Sequence, residues 1–201
     1  SYRSAMAAAA NFAFVNRPIE GYYFEFGSCS AVTMRLAWDS FHWLFNWIFV
    51  AFDSFEGFPE IQDIDRQEIW QKGKAAMSEE AFINCLLEHG IPRERFMTVK
   101  GFYDQSLTWE LQQKLLPLKA AVVYVDCDLY HSAVPVLKFV VPFLQKGTIM
   151  VFDEWNAFWG DPEKGERRAF REFREQNPSW RFEPFVSTNM AQSFLCVPRK
   201  E

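Results

Sequence analysis

Short runs of consecutive apolar residues alternate along this chain with segments whose apolar positions recur every three or four residues. The mostly apolar runs fall at 22–26 (YYFEF), 47–52 (WIFVAF), 95–99 (RFMTV), 121–125 (AVVYV) and 148–152 (TIMVF), each followed by a charged residue or glycine. Strands buried on both faces carry that pattern, so five parallel strands joined by crossover helices are predicted. After Ser78, the residues Ala81, Phe82, Cys85, Leu86 and His89 share a helical face that Gly90 and Pro92 bring to an end. Val134, Leu137, Val141 and Leu144 form a second stripe; Pro135 suits its first turn, whereas Pro142 should kink or end it. Residues 162–176 predict a surface helix, with Ala169, Phe170 and Phe173 inward and i,i+4 pairs Glu163–Arg167 and Arg168–Glu172 outward. Finally, 181–186 and 193–197 flank a turn-like STNMAQ and predict an antiparallel hairpin at the sheet's end. The fold expected is α/β and Rossmann-like: a mostly parallel seven-stranded sheet with a C-terminal antiparallel hairpin and helices on both faces.

The length of 201 residues fits one domain, 1–201, opening on a short N-terminal arm, 1–20. A net charge of -5 without a basic block argues against a nucleic-acid partner and favours small molecules. Cys29, Cys85, Cys127 and Cys196 are widely spaced and form no CxxC pair, which points to reduced thiols and a cytoplasmic setting. The stretch 41–52 is too short for a membrane span and reads as a buried helix end followed by a strand. The aromatic share of 18% suits either a wide core or a homodimer interface.

Three places carry chemistry. Glu25-Phe26-Gly27 closes the first strand and leads through Ser28 into a helix, where a doubly wound sheet binds ligands. Asp53 closes the second strand, in position to accept hydrogen bonds from a ribose diol. The sharpest signal is the pair VDCDLY and VFDEW, which sets Asp126 and Asp128 beside Asp153 and Glu154 at neighbouring strand ends. Converging carboxylates repel one another and raise their own pKa unless a cation compensates, so a hard divalent ion such as Mg²⁺ is expected there. His131, next to the DLY turn, is a candidate proton acceptor, as is Asp126. Trp155, Phe158 and Trp159 are candidates for an aromatic wall over the acceptor.

The segments EFGSCSAVT, AFDSFEGFPE, VKGFYDQSL, VDCDLY and VFDEW, in this order, resemble the macrocin O-methyltransferase family across residues 21–197. The resemblance implies a class I methyltransferase fold, S-adenosylmethionine as methyl donor, and Mg²⁺ held by Asp126, Asp153 and Glu154. Carried over by position, Glu25, Gly27 and Ser28 line the methionine part of the donor, Asp53 the ribose, and Gly101 with Phe102 the adenine. Asp126 then faces donor and metal alike, while Asp128 and Tyr130 form the floor. The acceptor implied is a small-molecule hydroxyl of the sugar or natural-product class.

The first loop departs from the family pattern where a glycine is expected and Ala31 stands, a replacement compatible with the loop if its φ stays negative. That departure, with the short arm, motivates the alternative of a non-catalytic, donor-binding or partner-subunit homologue. A nicotinamide-dependent dehydrogenase would need a GxGxxG turn, and the turn after Phe26 holds only Gly27.

Overall fold

The computed structural model describes residues 2–199. Its strands are β1 (Tyr22–Phe26), β2 (Ile48–Asp53), β3 (Phe96–Lys100), β4 (Ala120–Val125), β5 (Ile149–Phe152), β6 (Trp180–Ser187) and β7 (Gln192–Pro198). The helices are α1 (Tyr2–Val15), α2 (Val32–Phe41), α3 (Glu79–Glu88), α4 (Tyr103–Ser106), α5 (Trp109–Leu115), α6 (Tyr130–Val140) and α7 (Gly165–Gln176). They form one seven-stranded sheet in the order β3-β2-β1-β4-β5-β7-β6. β1 to β5 run parallel, β7 is antiparallel to β5, and β6 to β7.

Because side chains alternate across a strand, each run feeds two cores. Tyr23, Phe49, Ala51, Tyr124, Ile149 and Val151 meet α1, α2 and α3 through Met6, Trp38, Phe41, Phe82 and Leu86. Their neighbours Phe24, Phe26, Phe52, Val125, Met150 and Phe152 meet the other layer through Leu115, Phe139, Phe170 and Phe173. Most of the aromatic surplus is spent here: Phe26 stacks on Phe52 with ring centroids 4.4 Å apart, and Phe170 lies 4.6 Å from both Phe152 and Phe194. Trp43, Trp109 and Trp159 remain exposed.

The apolar stretch 41–52 is the end of α2 followed by β2, and no described helix is long and apolar enough to cross a membrane. Residues 2–15, expected only as an arm, form a helix whose Met6, Ala9, Ala10 and Ala13 are buried against α2 and the sheet. Pro142 ends α6, the chain tightening into a 3-10 turn over Val141–Phe143 and leaving Leu144 outside the helix. α7 begins at Gly165, three residues later than the charge pattern suggested. Glu163 therefore lies outside the helix and pairs with Arg171 at 2.9 Å instead of Arg167, while Arg168–Glu172 forms at 2.9 Å as expected.

The chain passes from β1 outward to β3, then returns to β4 on the other side of β1, which puts the topological switch between β1 and β4. Phe26 pairs with Phe52 and Val125, and Val125 with Phe152. The next residues, Gly27, Asp53, Asp126 and Asp153, consequently end in one row along the carboxyl edge of the sheet.

Candidate active site

A cleft of about 680 Å³ opens above this row, lined by Gly27, Asp53, Gly101, Phe102, Asp126, Asp128 and His131 among others. Its floor needs Gly27: the residue has φ +89°, and a Cβ there would sit 1.8 Å from the Asp126 carbonyl oxygen. The first loop is held down by Asp53. Its Oδ2 accepts from the Ser28 and Cys29 amides at 2.7 and 3.1 Å, and its Oδ1 from the Phe55 amide at 2.7 Å. Asp53 thus caps the loop and lines the cleft at once, with acceptor capacity left on Oδ1. The Asp53 carbonyl takes the Gly101 amide at 2.9 Å, joining the loops after β2 and β3.

Ala31 does not keep the negative φ that its side chain prefers. It sits at φ 60°, ψ 11°, fully buried, as the residue that opens α2. The turn needs the left-handed conformation wherever a glycine or its substitute stands, so the alanine carries strain without altering the turn.

Glu25 and Ser28 lie under the cleft, 0% and 2% exposed, and are not on its wall. Glu25 shares a strand face with Tyr23, whose hydroxyl donates to it at 2.6 Å, and Thr33 of α2 donates to its other oxygen at 3.0 Å. Ser28 Oγ approaches Glu25 without completing hydrogen-bond geometry. Burial pushes the Glu25 carboxyl up to about 7, against the opposing pull of the Tyr23 and Thr33 hydrogen bonds.

Beside the cleft the acids converge. Asp126, Asp128 and Glu154 each offer an oxygen within 4.8 Å of the others. Asp153 is next to them, but its oxygens accept from Tyr124 and from Tyr2 of α1, both at 2.8 Å. Burial, reinforced by the neighbouring carboxylates, holds the Asp126 carboxyl well above its usual range and raises Glu154. Burial also raises Asp128 and Asp153, less far because hydrogen bonds stabilise their ionised forms. Among the described residues, no Lys or Arg forms an ion pair with any of the four. Hard oxygens, mutual repulsion and no cationic partner are the attributes of a divalent-cation site.

Family and structural comparisons agree with this fold. The family Macrocin-O-methyltransferase (TylF) matches residues 15–179. The chain belongs to that family. Methyltransferase activity follows from membership, and the solved structures share the fold. O-methyltransferase NovP superposes with a TM-score of 0.77 at 18% identity, covering 97% of this chain and 79% of its own. CalS11, a calicheamicin methyltransferase, gives 0.74 at 22% identity, covering 96% and 77%. TomG of Streptomyces achromogenes, an O-methyltransferase of tomaymycin synthesis solved with SAM, gives 0.61 at 13% identity, covering 96% and 80%. No curated protein matches the sequence directly.

On this macrocin O-methyltransferase scaffold the segment 54–77 lines one side of the cleft, and its anchor is a residue that sequence reasoning missed. Asp65, fully buried, accepts from the Tyr130 and His131 amides at 2.7 and 3.2 Å, capping α6, and from His131 Nδ1 at 2.6 Å. That bond calls for a proton on Nδ1, so that in the neutral ring Nε2 is the acceptor, on a side chain that lines the cleft. Trp70 of the same segment packs on Phe158 and Leu129. The proposed aromatic wall divides accordingly. Phe158 is buried and half-buried Trp155 packs on Phe152, Phe170 and Phe194, while Trp159 is 96% exposed, and none of the three lines the cleft. Tyr130 also leaves the floor: its hydroxyl donates to Glu172 of α7 at 2.7 Å.

Proposed function

We propose that this macrocin O-methyltransferase family member transfers the methyl group of S-adenosylmethionine to a cation-positioned hydroxyl of a sugar-bearing small molecule. The observation that carries the reading is the double position of Asp126, which lines the cleft and belongs to the acidic triad. A donor in the cleft and a cation among the acids would share one wall. Support for the donor comes from Gly27, Asp53, Gly101 and Phe102 surrounding a cleft of about 680 Å³, a volume suited to a nucleoside ligand. TomG was solved with SAM, and CalS11 is described as a TDP-rhamnose 3'-O-methyltransferase.

Asp126 and Glu154 are the common members of the proposed cation set. Asp128 completes it as the side chains stand, and Asp153, whose oxygens accept from Tyr2 and Tyr124, would need to give up one of those bonds to join it. A bound Mg²⁺ supplies Lewis-acid polarisation of the acceptor hydroxyl. The chain's own residues do the rest. Asp53 holds the first loop and the ribose, Gly27 keeps the floor flat for the donor, and the 54–77 cap excludes water. Oriented by Asp65, His131 Nε2 takes the hydroxyl proton as the methyl group moves.

The test is methyl transfer from S-adenosylmethionine to a panel of nucleotide sugars, with and without a chelator. The expected result is transfer that a chelator abolishes and Mg²⁺ restores, with Asp126→Asn inactive. Transfer unaffected by chelation would remove the cation from the reading.

A further inference from the structure

α7 brings to the acids a carboxylate that the mechanism above does not use. Glu166, in the first turn of α7, is 1% exposed. Its Oε1 accepts from the Cys127 amide at 3.3 Å, between Asp126 and Asp128 in the chain. Its Oε2 is buried without a hydrogen-bond partner. The neighbouring cations are committed elsewhere: Lys164 to the Ile64 carbonyl at 2.9 Å, Arg167 to the Gly160 carbonyl at 2.6 Å, and Arg168 to Glu172 at 2.9 Å. The charges that act on Glu166, after burial itself, are those of Glu154, Asp128 and Asp153, all of the same sign.

A buried carboxyl with an unmade bond, facing three others, is costly to ionise unless positive charge reaches it. Glu166 stands outside the set whose oxygens lie within 4.8 Å of one another, so it is not placed as a ligand. We propose that Glu166 is an outer carboxylate of the cation centre, strengthening the grip of Asp126, Asp128 and Glu154 on a divalent ion without touching it. The inference rests on the cation reading of the preceding subsection.

Titration of the full chain with Mn²⁺, followed by calorimetry and by the loss of the free-ion electron-spin-resonance signal, tests it. Glu166→Gln keeps an acceptor for the Cys127 amide and removes only the charge. Outer partners of metal sites are worth about ten- to a hundredfold in affinity, so Mn²⁺ should bind about tenfold more weakly. S-adenosylmethionine affinity should stay within about twofold, and the metal-free variant should melt higher than the parent because repulsion is relieved. Glu166→Ala should show the same loss of affinity and serves if the Gln variant fails to fold. Unchanged Mn²⁺ affinity in either variant overturns the inference alone. A lower metal-free melting temperature together with weakened donor binding also overturns it, making Glu166 structural. If the parent chain binds no Mn²⁺, the cation reading falls and this inference with it.

Discussion

Glu25 makes the stability of this protein depend on pH in a direction opposite to that of an ordinary carboxylate. Its folded pKa is raised, to about 7 from 4.5, by burial beneath the cleft. A raised carboxyl pKa favours the neutral form, so the folded state holds the proton more tightly than the unfolded chain. Its contribution is most favourable below about pH 4.5, is lost as pH rises toward 7, and is constant above that. A difference of 2.5 units at about 1.4 kcal/mol per unit amounts to about 3 kcal/mol across the window. Glu25→Gln isolates the effect. The amide is isosteric and always neutral, and the Tyr23 and Thr33 hydroxyls, at 2.6 and 3.0 Å, can turn to suit it. Urea unfolding of both proteins at pH 5, 6, 7 and 8 gives two stability curves whose difference cancels the acids of the cluster. That difference should move in favour of the variant by about 3 kcal/mol between pH 5 and pH 8, with most of the change complete by pH 7. A difference that does not vary with pH would refute the argument, because Glu25 would then be charged in both states.

Three further substitutions test single contacts. Ala31→Gly relieves a left-handed alanine at φ 60° and should raise the melting temperature by about 2 °C in a thermal scan, part of the gain being offset by unfolded-chain entropy. Asp65→Ala removes the cap of α6 and the His131 partner and should cost about 2 kcal/mol in urea unfolding, with Asp65→Asn recovering about half. Gly27→Ala places a Cβ 1.8 Å from the Asp126 carbonyl, so calorimetry should detect no S-adenosylmethionine binding, and unfolding should show a loss of about 3 kcal/mol.

The sheet was legible because its central strands are buried on both faces and so appear as apolar runs such as AVVYV, or as YYFEF with the single acid Glu25. The row of strand-end residues was legible for the same reason: Gly27, Asp53, Asp126 and Asp153 each follow such a run directly. What escaped depends on contacts distant in sequence. Asp65 is polar, in a segment without periodicity, and becomes the cap of α6 only because 54–77 folds back on a residue 65 positions later in the chain. Glu166 lies on the same helical stripe as Ala169, Phe170 and Phe173 and is buried with them, but that stripe does not report the acids after β4 and β5 that it meets. Ala31 was expected to suit the loop only at negative φ, and that condition is not met: the turn holds it at φ 60°. Asp153 follows β5 as expected, yet Tyr2 reaches it from a helix at the other end of the chain, which strand patterns do not report.

The central claim is that one cleft brings a methyl donor against a cation held by the strand-end acids. A crystal soaked with S-adenosylmethionine and Mn²⁺, measured at the manganese absorption edge, tests it most directly. The account predicts donor density between Gly27, Asp53 and Phe102, and an anomalous peak against Asp126 and Glu154 on the side where the methyl group points. Donor bound elsewhere, or a well-occupied donor with no anomalous peak among the acids, would contradict it.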